Sequence, residues 1–322
     1  MKGNATKKSS PHPLRSVPVA RPHGRRLPHH SLFFALNNLR QPQLARCRRH
    51  PANLGRLLFA ALVLGAYAHL FGGGLGGSGR DWLLLSGVIG MGLGDLAVFA
   101  ALPLLGSRLT VLMTQCLAAP LAIVAEWLWL GTVLTGTQLL WGFVILGGVL
   151  VALLPSRSSP PKVTIRPIGF LFGFLAACGQ GFGAVVSRKG NALAALAGEP
   201  IDGLTAAYQR ILGGLAITLI WLAARALLSA KPSVPTPPEP APPWRAYLWI
   251  PANAGCGAII GVSCYQWSLA TTPSGIVLPI VACTPLVIIP LSYWLENERP
   301  TRRSLLGGII AVAGCIALAL AR

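Results

Sequence analysis

Apolar residues fall in nine long runs, near 57–75, 82–104, 109–131, 138–154, 167–187, 206–229, 247–270, 275–295 and 304–320. Each is about as long as the helix that crosses a hydrocarbon core of roughly 30 Å, and short polar or Pro/Gly-rich turns join them. Several runs are apolar on every side and lack period-two alternation. They therefore predict helices and not barrel strands, which alternate over about ten residues. The expected fold class is an all-α polytopic membrane protein.

The runs are related to one another. Pro120, Leu121 and Ile123 through Trp129 and Leu130 match Pro285, Leu286 and Ile288 through Trp294 and Leu295 at an offset of 165. After one inserted residue, Thr135, Leu139, Leu140, Gly142 and Gly148 match Thr301, Leu305, Leu306, Gly308 and Gly314 at 166. Further upstream, Arg56 and the run after it match Arg210 and the run after it. Shared hydrophobicity alone does not place such matches so regularly, so the chain reads as a duplicated helical unit. The expected division is a basic, irregular segment at 1–56, a first repeat at 57–154, a linker at 155–166 and a second repeat at 167–322. The second repeat shows five spans and the first only four. Where the first repeat's opening helix is expected, residues 13–33 are too polar and Pro-rich to span.

Units of five spans enter the membrane with opposite orientations, the arrangement of many secondary transporters. Loop charge agrees: the turn at 132–137 has no Lys or Arg, whereas its counterpart at 297–303 has Arg299, Arg302 and Arg303. Alternate loops sum to nine basic residues on one side and four on the other, the four including Arg188 and Lys189. The positive-inside rule then places the richer side and residues 1–56 in the cytoplasm.

Composition agrees with a lipid solvent: 53% of the 322 residues are apolar, 11% are charged, and the mean hydropathy is +0.61. The net charge of +19 comes mostly from residues 1–56, which hold twelve Lys or Arg and no acid. Such a run binds nucleic acid or anionic lipid, or it anchors the next helix; the last is the simplest reading, and no nucleic acid partner is expected. No cleavable secretory signal is evident. Six of seven cysteines lie inside the runs without metal or redox spacing, so they read as small packing residues.

The stretches GDLAVFAALPLLGSRLTVLMTQCLAAPLAIVAEWLWLGTVLTGTQLLWGFVILGGVL and GIVLPIVACTPLVIIPLSYWLENERPTRRSLLGGIIAVAGC resemble the two halves of drug/metabolite transporters of the EamA type. The most specific element is a Leu-Gly-Glu-x-x-Thr turn before a Gly-rich span, kept in the second repeat as Leu295, Glu298, Arg299, Pro300, Thr301 and Gly308. The first repeat departs from it at Thr132. The resemblance implies ten spans around a central cavity and passage of amino acids or other small metabolites without ATP or a cofactor. The implied setting is the lipid bilayer of the cell inner (plasma) membrane.

Few polar residues lie within the spans. Asp95 sits mid-span, where a carboxylate costs roughly 2.5–3.5 kcal/mol, so it must face a cavity or a partner. It is a candidate proton-coupling or cation-binding group, or a carboxyl bonded to a neighbouring helix approached through Gly90 and Gly94. Glu126 lies near a span end and either contacts solute or reaches the interface beside Trp127 and Trp129. Arg210 pairs with a carboxylate, attracts an anionic solute, or snorkels to the headgroups; Arg56 has the same choices. Gln180, Tyr265, Gln266 and Trp267 put hydrogen-bonding and aromatic surface at mid-span, suited to a polar organic solute, with Gln115 a weaker member. Gly169/Gly173 and Gly257/Gly261 have helix-contact spacing. The rival classes are a membrane-embedded enzyme and a non-transporting or truncated membrane protein. The enzyme needs paired catalytic groups, and neither HExxH, nor GxSxG, nor a second intramembrane Asp is present.

Overall fold

A computed structural model describes residues 44–154, 163–228, 249–287 and 301–321. The opening 43 residues, most of the linker and the Leu295–Pro300 turn lie outside them. Among the described residues there are nine helical runs and no strand. They are α1 (Leu44–Leu70), α2 (Arg80–Leu105), α3 (Ser107–Leu130), α4 (Gly136–Leu153), α5 (Ile168–Leu196), α6 (Gly203–Leu228), α7 (249–271), α8 (Ser274–Val287) and α9 (Arg302–Leu320). Seven, all but α7 and α8, are long and apolar enough to cross a membrane. Large apolar side chains such as Leu62, Leu128, Phe143 and Ile309 lie exposed on the outer faces, as a lipid solvent requires.

Two helix ends differ from the sequence expectation. α1 begins at Leu44, so residues 44–56 of the segment expected to be irregular are helical. α5 runs to Leu196, well past the expected end at 187, and Arg188 and Lys189 are therefore helical and not loop residues. Arg188 does not end the helix because its charge is matched by Glu126 on α3, at 2.7 Å.

Close contacts fix the helix directions. Gly65 of α1 packs on Tyr208, near the start of α6, and Gly72 just beyond α1 meets Thr205 still closer to that start, so α1 and α6 are antiparallel. Gly148 of α4 meets Gly307 and Ala311 of α9, while Ile145 meets Gly314, so α4 and α9 are antiparallel too. Ser274, which opens α8, bonds Glu126 near the end of α3. The end of α7 packs on Gly203 at the start of α6, while Gly79, before α2, packs on Gly190 near the end of α5; α2 and α7 thus run oppositely. The α1–α6, α4–α9 and α3–α8 contacts each join a first-half helix to its repeat counterpart, and α2 and α7 are the fourth such pair. The two units are inverted, as loop charge predicted.

The repeat also reproduces finer features. Thr135 and Thr301 each cap the following helix, accepting a hydrogen bond from the backbone N–H three residues on, at 3.3 and 3.1 Å. α2 is interrupted by a π-helical segment at Val88–Gly94 and α7 by one at Ala254–Gly261. Their starts are offset by 166, the same as the downstream sequence repeat. Such wide turns are uncommon and concentrate at functional places in helices.

Candidate solute site

α2 lies between α5 and α6 through glycines. Gly90 and Gly94 face Gly183 and Gly179 of α5, the mutual small-residue contact their spacing predicted. Gly169 and Gly173 likewise meet Leu105 and Met113. A Cβ on Gly257 would meet no described atom within 4 Å, and one on Gly261 would meet only Cys256 of its own helix, so among the described residues that predicted contact is not made.

The close α2–α5–α6 packing brings polar groups together. Arg210 of α6 is 4% exposed. Its Nη1 donates to Ser86 Oγ of α2 at 2.9 Å, to Ser187 Oγ of α5 at 2.9 Å and to the Gly183 carbonyl at 3.4 Å. The Tyr265 ring of α7 lies 5.3 Å from the guanidinium carbon, a cation–π distance. Gln266, fully buried, donates to the same Ser187 hydroxyl at 3.1 Å. Its Oε1 is buried without a hydrogen-bond partner. Arg210 therefore points inward, and the snorkelling alternative does not hold.

Beside this cluster, Arg56 Nη2 of α1 donates to Asp95 Oδ2 at 3.1 Å and to Asn53 Oδ1 at 2.8 Å. The two charged side chains remain 28% and 29% exposed at mid-helix. Asp95 is also within electrostatic reach of Arg210. The carboxylate thus serves α1 and not the glycine-contacted α5.

Other predicted residues lie apart. Glu126 is 2% exposed and turned inward, away from the interface that was one of its two expected places. Its Oε2 accepts from the Ser274 N–H at 2.8 Å and from the Ser274 hydroxyl, and its Oε1 faces Arg188. Trp267 is 70% exposed and packs on Gly203, on a different face of α7 from Gln266. Gln180 is half-buried next to Gly179. Gln115 is half-buried with its Oε1 lacking a partner. Sequence reasoning missed Asn53, Ser86, Ser187 and Arg188. The two serines carry no sequence signal beyond a hydroxyl within an apolar run, and Arg188 was masked by its place at the apparent end of a span. Among the described residues no group of three His, Cys, Asp or Glu is arranged to hold a metal.

No curated protein sequence matches the chain. A solved crystal structure of a protein is similar over 91% of this chain and 95% of its own, with a TM-score of 0.63 and 17% identity, a likeness of fold alone. The model of the EamA-like transporter family matches residues 32–154 and 167–320, one match per repeat, the first starting upstream of α1. With two such repeats built from membrane-crossing helices, the chain is a multi-pass membrane protein that belongs to the EamA-like transporter family, whose members move small solutes.

Proposed function

We propose that the protein is a secondary transporter that exports a small organic metabolite, such as an amino acid, or facilitates its passage across the inner (plasma) membrane by alternating access without ATP. The observation that carries this reading is the Arg56–Asp95 pair. Charged side chains within membrane spans pair or face a water-filled cavity, and this pair is closed at 3.1 Å with more than a quarter of each side chain left accessible. It lies where helices of both inverted units meet, the place from which such folds open to either side. Asp95 is the ionisable group through which a proton would couple, flanked by the charges of Arg56 and Arg210, with Tyr265 against Arg210.

In liposomes holding the purified protein and a pH-sensitive dye, a metabolite panel is expected to include at least one solute that moves down an imposed gradient. Failure of every solute under every gradient rejects the proposal. Asp95→Asn is expected to abolish the dependence of flux on the pH gradient. Unaltered pH dependence in that variant removes Asp95 from coupling.

A further inference from the structure

We infer that the Arg56–Asp95–Arg210 site takes an organic anion, a solute bearing a carboxylate or comparable acidic group with net negative charge. This inference rests on the transporter reading of the same site and narrows it.

The charges at the site do not balance. Among the described residues the bundle interior holds three arginines, Arg56, Arg188 and Arg210, and two carboxylates, Asp95 and Glu126. Glu126 is taken by Arg188 at 2.7 Å and by Ser274. That leaves Asp95 to two guanidiniums, and its direct contact is with Arg56. Arg210's hydrogen bonds go to neutral acceptors, two serine hydroxyls and a carbonyl, and its planar face to a tyrosine ring. A charge buried among neutral groups is costly unless a counter-charge reaches it during function. In the resting arrangement the site carries one net positive charge.

The inverted repeat explains how the imbalance arises. Arg56 and Arg210 are equivalent positions of the two units, so duplication supplies two arginines. Asp95 lies one residue after the first π segment, and at the 166 offset its counterpart is Gly261. The carboxylate therefore exists once. Gly90 admits the unmatched cation beside α2, since a Cβ there would lie 2.6 Å from Arg210 Nη2. Arg56 has donor capacity in reserve: among the described residues its Nε is buried without a hydrogen-bond partner. A guanidinium offers five donors in a planar fork that matches a carboxylate. An anionic group entering between the two arginines would meet donors on both sides.

The test sets the charge of the site against the charge of the ligand. Purified protein is titrated with carboxylates, the neutral amides of the same skeletons, and the corresponding amines, with tryptophan fluorescence and melting temperature as readouts. Carboxylates are expected to bind and amines not to. Affinity for the best carboxylate should follow the charge of the site. Arg56→Gln, which makes it neutral, weakens binding about tenfold or more. Asp95→Asn, which leaves both arginines unopposed, preserves or tightens it, and the Arg56→Gln/Asp95→Asn double variant recovers towards wild type. If Arg56→Gln does not fold, Asp95→Asn and the double variant still carry the comparison. Binding of amines in place of carboxylates, binding of no ligand, or a carboxylate affinity indifferent to the charge series overturns the inference. Flux of the same compounds in liposomes is scored separately. Amines that move while carboxylates neither bind nor move reject the anion site and keep the transporter, whereas carboxylates that bind without moving reject the transporter and keep the site.

Discussion

Glu126→Ala is expected to destabilise the folded protein by about 3–5 kcal/mol, the range for removing one partner of a buried ion pair. The carboxylate joins three elements: α3, which carries it; α5, through Arg188 at 2.7 Å; and the start of α8, through the Ser274 N–H at 2.8 Å. Alanine strips all of these at once. Among the described residues Arg188 then keeps only the Leu269 carbonyl, at 3.1 Å, and the first N–H of α8 loses its acceptor. Glu126→Gln separates the parts, because an amide oxygen still accepts from Ser274 but leaves the guanidinium charge unopposed; its loss should be smaller than that of alanine. The Glu126→Gln/Arg188→Gln double variant removes both charges and should recover part of the loss. The thermal unfolding midpoint in detergent, followed by tryptophan fluorescence, measures all three. A midpoint for Glu126→Ala equal to that of wild type would show that the pair contributes nothing to stability.

The same pair shows where sequence stops informing. The apolar runs were legible because lipid imposes length and hydrophobicity on every crossing helix, and the inversion was legible because the loops at 132–137 and 297–303 carry different charge. Arg188 was not legible. A basic residue followed by Lys189 at the end of an apolar run has the local pattern of a loop. Only the fold brings it to Glu126, and with that partner the helix continues to Leu196. The start of α1 at Leu44 was hidden for a related reason, since the basic residues among 44–56 mask a helical stretch. For the candidate site, the residue types Asp95, Tyr265 and Gln266 were legible as polar groups at mid-span, and Arg210 as a charge opening its span. Their partners were not: Arg56 is 39 residues from Asp95, and Ser86 is 124 from Arg210. Trp267 shows the converse, since adjacency to Gln266 in sequence places it 100° further round the helix, and there it faces outward. The π segments left only a trace, the glycines at 90, 92 and 94 and at 255, 257 and 261.

Gly87→Ala is expected to fail where Gly257→Ala succeeds, although both add one methyl to a glycine within or adjoining a π segment. At Gly87 the new Cβ would lie 1.8 Å from the Arg210 carbonyl oxygen, and a Cβ on Gly213 would lie 2.0 Å from that of Leu84. Each helix thus leaves room for the other's backbone, and neither contact can be relieved by turning a side chain. α2 and α6 must part by more than an ångström to restore van der Waals separation, and overpacking of this kind costs about 1–3 kcal/mol. The displacement falls on the residue whose guanidinium reaches Ser86 and Ser187, so transport should be lost along with stability. At Gly257 a Cβ meets no described atom within 4 Å. Alanine there gains helix propensity, up to about 1 kcal/mol, and should hold or raise the unfolding midpoint. The midpoint of Gly87→Ala is expected to fall while that of Gly257→Ala holds or rises, and equal destabilisation would refute the difference in packing between the two turns. Flux adds a second comparison: if α7 bends at its open π turn as the units exchange positions, Gly257→Ala slows transport with stability intact, and wild-type flux would assign that turn no part in the motion.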